Sequence, residues 1–343
     1  MISVLLPRGN HYIYLAVSLI CLSTLLTWVI WLAITPASRH SLRGRLRLGL
    51  TLMACLAVIG SLYPYHLAAS WLAAQRALDR ARAHRDILQT GQTVAGIAMP
   101  AGTILHLRKI GQPGTFALAR FPQPTEVDGL QVRSIRRHVS PARADAPPRE
   151  TWSVALAGDQ VVQGWICSHR HPVDLAIEKN GKPRFADCHL ADGNKLEGQP
   201  LPMGTWLSRS QAAPPRWLLR TNGSEAATIA HFPLLPADIV VDAQSRIVSF
   251  NGLLARQAKL GDVTYPLGTR VASALDVPGA LAGDLLFSPP RGRTAQYKNH
   301  SDVQAGTSVL QAPDGTVRLM LDNRQAGVVD AAGRPPDHRH AGT

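Results

Sequence analysis

The sequence is poor in the arrangements that carry recognisable chemistry. It has no G-x-S-x-G elbow, no H-E-x-x-H helix, no phosphate-binding P-loop and no G-x-G-x-x-G fingerprint, which removes the common routes to a placed nucleophile, a catalytic zinc or a nucleotide cradle. Cysteine is scarce. Of four, Cys21 and Cys55 sit in apolar runs, and only Cys167 and Cys188 lie elsewhere. Acidic residues number 23 against 36 basic ones, for a net charge of +13. That deficit is concentrated: residues 1–90 hold nine arginines against Asp79 and Asp86, which is +7 of the total. The excess therefore flanks the apolar runs, where it suits anionic headgroups, and no nucleic-acid partner is expected. Amphipathic helical periodicity is missing after residue 90, so a helical bundle is excluded there.

What is present begins with two apolar runs. Residues 12–34 form 23 positions without a charge, and residues 48–65 form 18 more, with Gly60 and Pro64 inside. About 20 apolar residues cross a bilayer core, and membrane helices tolerate both Gly and Pro. The first run is too long for the apolar stretch of a secretion signal. Tyr12, Tyr14, Trp28, Trp31, Tyr63, Tyr65 and Trp71 lie toward the ends of the runs, in the manner of an interfacial aromatic belt. Arg39, Arg43, Arg45 and Arg47 fill the loop between them. Positive residues stay cytoplasmic, so both termini are expected outside. Arg76, Arg80, Arg82 and Arg85 pull the other way, but from farther along the chain.

After Pro64 the chain is rich in Ala, Leu and Arg up to residue 88, a composition that favours a helical stalk. Beyond it, Gly and Pro punctuate short β-branched and aromatic runs. Strands are expected at 103–107, 152–157, 161–167, 246–250 and 316–321, and short helical turns near 252–260 and 272–281. One frame recurs at Val94, Leu196 and Leu260, with a degraded copy at Ser301: apolar-x-Gly, a short apolar pair, Pro-x-Gly-Thr, then a strand start. A half copy lies at Val127. The frame expects positive φ at Gly102, Gly204, Gly268 and Gly306. The fold class is accordingly two N-terminal transmembrane α-helices, a helical stalk and a mainly-β soluble domain of recurrent turn–strand units, either a barrel-like meander or a short solenoid.

The expected boundaries are 1–35 for a short external tail and the first span, and 36–47 for a basic cytoplasmic loop. Residues 48–90 make the second span and stalk. Residues 91–332 make the extracytoplasmic β domain, with a joint near 140–150, and 333–343 a disordered tail. The densest cluster of potential ligands is Cys167, His169 and His171 with Cys188 and His189. Two thiols and three imidazoles are a candidate metal set, and on a strand Cys167, His169 and His171 would share one face. A lone pair of soluble cysteines in an oxidising space is more naturally a Cys167–Cys188 disulfide, and no cofactor or resident metal is expected. Trp152, Trp165, Trp206 and Trp217 are either core side chains or stacking platforms.

These features describe a two-pass protein of a bacterial-type inner membrane with its β domain on the periplasmic side. Binding or scaffolding is favoured over catalysis. The partner is the membrane together with an envelope protein, or an incoming toxin as in immunity proteins. The alternatives are a subunit of a membrane complex, with Ala54, Ala57, Gly60 and Ser61 letting partner helices approach, and an envelope enzyme with a scattered site.

Overall fold

The computed structural model describes residues 11–35, 46–140, 149–178, 180–210, 214–298, 301–304 and 306–328. The expected joint (141–148), most of the basic loop (36–45) and the expected tail (333–343) lie outside the described residues. The chain falls into two compact units, Met1–Arg85 and Asp86–Thr343, and each is taken by itself.

The first unit is a pair of helices, α1 (His11–Ile34) and α2 (Leu46–Ala83). Both are long and apolar enough to cross a membrane, and very little of either is buried. Ile20, Leu26 and Val58 are each more than 60% exposed. A soluble core helix would bury such side chains, whereas in a bilayer they meet acyl chains. Pro64 lies inside α2 without ending it. At 1.5 Å per residue the 38 residues of α2 span about 57 Å, well beyond the roughly 30 Å of a hydrocarbon core. The two helices touch at Gly60, where an added Cβ would fall 2.8 Å from Leu22 Cγ and the buried Ser18 hydroxyl donates to the Gly60 carbonyl. Gly60 is thus engaged within the chain. The helix stops at Ala83, and Arg85–Ile87 is already a strand.

The second unit is mainly β. Fifteen strands follow one another both along the chain and across one antiparallel sheet: β1 (Arg85–Ile87), β2 (Ile104–Leu107), β3 (Phe116–Val127), β4 (Leu130–Ser140), β5 (Arg149–Leu156), β6 (Val173–Ile177), β7 (Pro183–His189), β8 (Trp206–Arg209), β9 (Trp217–Arg220), β10 (Phe232–Val241), β11 (Ile247–Leu254), β12 (Arg270–Ser273), β13 (Leu285–Ser288), β14 (Thr307–Gln311) and β15 (Val317–Asp322). A further strand, Ala227–Ile229, pairs with the start of β10. The order has two ends, β1 and β15, so the sheet is an open meander and no closed barrel forms among the described residues. Such a sheet needs no crossovers, because each strand finds its partner through the next connection.

Alternation decides which side chains enter the core. Val173 and Leu175 of β6 are buried while Asp174 between them is not, as a period of two requires. The inward residues Leu105, Val154, Leu207, Ile239 and Phe287 are fully or almost fully buried, each worth about 1.5–3 kcal/mol of transfer free energy. Alternate connections of a meander emerge at the same end, and here several carry a small hairpin. Gln92–Val94 pairs with Ile97–Met99, Gln160–Val162 with Trp165–Cys167, Lys195–Leu196 with Gln199–Pro200, and Ala258–Leu260 with Val263–Tyr265. Met99, Val162, Trp165, Leu196 and Tyr265 of these hairpins belong to the same apolar cluster as the inward sheet residues. The hairpins therefore fold back and supply the second layer of the core.

Ala95-Gly96, Gln163-Gly164 and Glu197-Gly198 are two-residue turns with both residues at positive φ, the geometry that matches strand twist. This corrects the expected strand at 161–167: Gln163-Gly164 folds it into a hairpin. It likewise resolves the apolar-x-Gly part of the recurring frame into a hairpin tip. The helical turns expected near 252–260 and 272–281 are replaced by strand at Gly252–Leu254, Ala258–Leu260 and Ala272–Ser273, with turns after Ser273. β-branched and apolar neighbours on adjacent strands outweigh local preference there.

Candidate functional site

Pro-x-Gly-Thr makes the same bonds three times. Gly102, Gly204 and Gly268 have φ of 82°, 81° and 83°. Their N–H groups donate to the carbonyls of Leu88, Leu190 and Leu254, and these leucines donate back to Thr103, Thr205 and Thr269. Each threonine hydroxyl donates to the proline carbonyl three residues earlier. A threonine at 0% exposure needs that bond, since a buried unsatisfied hydroxyl is costly, and all three are at 0%. Gly306 has φ of 83° too, but its carbonyl accepts from Asn323 of the chain beyond β15.

Next to the Gly204 turn, Cys167 and Cys188 form a disulfide with Cα atoms 6.0 Å apart. Both are fully buried, so they act as core side chains that tie the 160–167 hairpin to β7. The candidate metal set Cys167, His169, His171, Cys188 and His189, weighed in the sequence against a disulfide, is not assembled among the described residues. The two sulfurs are bonded to each other, which removes them as thiolate ligands. His169 and His171 fall in the turn after Cys167 instead of on a strand face. Asp159 holds His169, accepting its backbone N–H at 2.8 Å and facing its Nδ1 at 2.7 Å. His171 packs against His189 with ring centroids 4.4 Å apart, and His189 Nδ1 lies 3.1 Å from the Gly204 carbonyl. No group of three or more His, Cys, Asp or Glu side chains has metal-holding geometry among the described residues.

The outward face of β5 to β10 carries a polar constellation that sequence reasoning missed. Ser153, Asp174, Asp187 and Ser208 stand opposite one another on four successive strands. A second row, His189, Trp206, Arg220 and Asp238, continues through β7 to β10. Directly opposed residues share a face at about 4.5–5.5 Å between Cβ atoms, so Asp174 and Asp187 place two carboxylates side by side. The Ser153 hydroxyl donates to Asp174 at 2.5 Å. Burial, then the neighbouring Asp174 carboxylate, push the Asp187 pKa up, and hydrogen bonding from the Trp206 side chain and the nearby His189 only partly offset this.

Most of this surface balances its acids with cations. Glu150 pairs with Arg137, Glu178 with Arg184, Asp238 with Arg220 and Asp242 with Arg246. Asp174 and Asp187 have no ion-pair partner among the described residues. Ser208, at 8% exposure, stands across from Asp187. The Arg220 guanidinium lies 6.0 Å from the Trp206 ring centroid, near the outer limit of a cation–π contact. The available signal was local: V-D-L in β6 puts an acid between two inward residues, and in β7 Asp187 directly precedes the inward Cys188. Their juxtaposition depended on register across residues 178–182, which spacing alone does not give. Trp152 and Trp165 are buried in the core, while Trp206 lies on the outward face.

No protein-family model, curated protein or solved structure matches the chain.

Proposed function

We propose that this chain is a membrane-anchored binding or scaffold protein of the cell envelope, held by two spans with its β domain on the non-cytoplasmic side. The disulfide supports that side, because such bonds persist in oxidising compartments. The length of α2 beyond the bilayer core supports a stalk. The recurring bonds of the Gly102, Gly204 and Gly268 turns support a common turn–strand frame that holds the sheet rigid while other surfaces vary. The partner is a protein, such as an envelope component or an incoming toxin.

The observation that carries the binding reading is the pair Asp174 and Asp187 on the outer face, beside Trp206 and without an ion-pair partner among the described residues. Asp187 is penalised by burial and by the neighbouring Asp174 carboxylate, and a lysine or arginine from a partner relieves both costs while Trp206 supplies apolar contact area. Chemical crosslinking and co-purification from detergent-solubilised membranes test this. Wild-type chain is expected to retain a protein partner that the double variant Asp174→Asn, Asp187→Asn loses, with its thermal stability kept. Equal recovery of the same partners by both chains rules out this face as the docking surface.

A further inference from the structure

α2 is 38 residues long and α1 only 24, so one helix outruns the other. Ser18 lies 16 residues before the end of α1 and Gly60 lies 14 after the start of α2, and the Ser18 hydroxyl donates to the Gly60 carbonyl. The pair is therefore antiparallel, and His11, the first residue of α1, stands level with about residue 67 of α2. Between residues 47 and 66, only Gly49, Met53, Leu56, Gly60 and Tyr63 of α2 are not exposed. Their alternating steps of four and three are the rhythm of a packed helix seam. Leu67, Trp71, Ala74, Leu78 and Ala81 each follow one of them by 18 residues, which is five full turns at about 3.6 residues per turn.

The five later residues thus continue the α1-facing line past the level at which α1 begins. There Leu67, Trp71 and Leu78 are 59%, 60% and 46% exposed. Headgroups do not account for the whole stripe, because Leu78 lies about 20 Å beyond Tyr65 at 1.5 Å per residue. The charges of this segment avoid it. At 100° per residue Arg76 falls on the opposite side of the helix, and Asp79 and Arg80 about 120–140° away. Arg82, at the flank, pairs with Asp79 at 3.7 Å. We propose that this stripe pairs with the same stripe of a second copy of the chain, forming a short parallel coiled coil above the membrane.

Three features favour a second copy as the occupant. A shared membrane points α2 of every copy the same way, so equal positions meet, as an isologous contact requires. The four–three alternation is the one that two parallel helices bury. A stalk this basic would repel its own copy if its arginines faced the seam, and Arg76 and Arg80 are turned away from it. Confinement to one membrane raises the effective concentration of the stalks, so a seam of two heptads suffices. The proposal rests on the reading of α2 as a stalk outside the bilayer and is independent of the outer-face carboxylates.

Cysteine scanning from Leu72 to Arg82 in the full chain tests it, in native membranes and with Cys21→Ala and Cys55→Ala removing the two free thiols. Oxidation is expected to give a disulfide-linked dimer from Ala74→Cys, Leu78→Cys and Ala81→Cys, and little from Arg76→Cys or Arg80→Cys. Leu78→Asp sets like charges face to face and lowers cross-linking through Ala74→Cys about tenfold, whereas Arg76→Asp leaves it unchanged. Leu78 lies outside the second unit, so the melting of the β domain stays put in Leu78→Asp, which separates lost pairing from lost folding. Labelling of Ala81→Cys by a membrane-impermeant maleimide tests the stalk reading on its own. A photoreactive group at position 78 identifies the neighbour directly. Pairing is overturned if the cross-links lack the seam pattern, or if that group captures residues 1–10 of its own chain or a different protein in place of a second copy.

Discussion

The middle of the sheet and its C-terminal end are built on the same meander and treat their outer faces in opposite ways. Across β6 to β9 the strands alternate, with Val173, Leu175, Cys188 and Leu207 inward and Asp174, Asp187 and Ser208 outward. Across β13 and β14 both faces are buried, and most of the inward residues are apolar. Phe287 and Val309 face the main core, while Leu286 and Leu310 join Ala274 and Ala326 in a second cluster. Segments on either side of the last strands, 274–284 and 323–328, cover that outer face. A strand buried on both faces reads as a continuous apolar run, and one buried on a single face reads as an alternation. The pattern of outward side chains thus shows which part of the sheet is sealed by described segments of the chain and which part turns polar side chains outward.

The two regions also handle charge differently, and the largest expected effect exposes this. Asp284, under the C-terminal cover, has a side chain 1% exposed and is paired with Arg318 at 2.8 Å. It also accepts the Leu281 N–H. Arg318→Ala strands that carboxylate in the interior, a loss expected to cost about 3–5 kcal/mol. Removing the cation from an exposed pair such as Arg220–Asp238, through Arg220→Ala, should cost less than about 1 kcal/mol. Tryptophan-fluorescence unfolding in urea compares them. Similar midpoints would dissolve the distinction between a sealed and an open face.

The Cys167–Cys188 bond belongs to the open region. Closing a loop of 21 residues contributes about 3 kcal/mol by the chain-entropy model. The double variant Cys167→Ser, Cys188→Ser should lose that much and leave the C-terminal region the more protected. Limited proteolysis should then cut first within 157–205 and only later within 274–328. The reverse order would mean that the hairpins, and not the disulfide, hold the middle together.

The turns sharpen the contrast at smaller scale. Gly204 and Gly306 share a positive φ, but an added Cβ meets Asn222 Nδ2 at 3.0 Å at the first and nothing within 4 Å at the second. A β-branched residue pays for the left-handed conformation at both, about 1–2 kcal/mol. Gly204→Val adds a clash and strains the bonds around the buried Thr205, so its loss should exceed that of Gly306→Val by about 1 kcal/mol. Thermal melts of the two variants measure the difference, and equal losses would show that only φ matters.

Much of this architecture was legible in the sequence. The two charge-free runs announced the helices, because a bilayer leaves a long local signature. Several strands and the turns at Gly102, Gly204 and Gly268 were visible in β-branched runs and in Pro-x-Gly-Thr, which are short-range signals. Residues 161–167 read wrongly because a two-residue turn at Gln163-Gly164 hides inside an apolar run. The single open sheet was not legible, since it follows from pairings between residues such as Asp174 and Asp187 on different strands. The histidines looked like a site through proximity in sequence, yet Asp159 and the Gly204 carbonyl account for two of them. The carboxylate pair escaped notice because it assembles residues from separate strands.

The smallest expected effect concerns Asp187. Its folded-state pKa is raised, chiefly by burial and then by Asp174, so its ionisation opposes folding. Its favourable contribution is fully present below the ordinary aspartate pKa, near 3.9, and is lost as pH rises through the raised folded value. Asp187→Asn removes this term while leaving an acceptor for Trp206. At pH 7 the variant should be more stable than the wild type by a few tenths to about 1 kcal/mol, because solvent reaches part of the side chain and screens it. The advantage should vanish below pH 4. Paired melts at the two pH values check it. A carboxylate kept only for structure should not weaken the fold, whereas one kept for a cationic partner gives up stability for binding. Asp187→Asn should therefore gain stability and lose the partner together. A variant that lost both stability and partner would mark Asp187 as a structural residue and would withdraw the outer face as the docking surface.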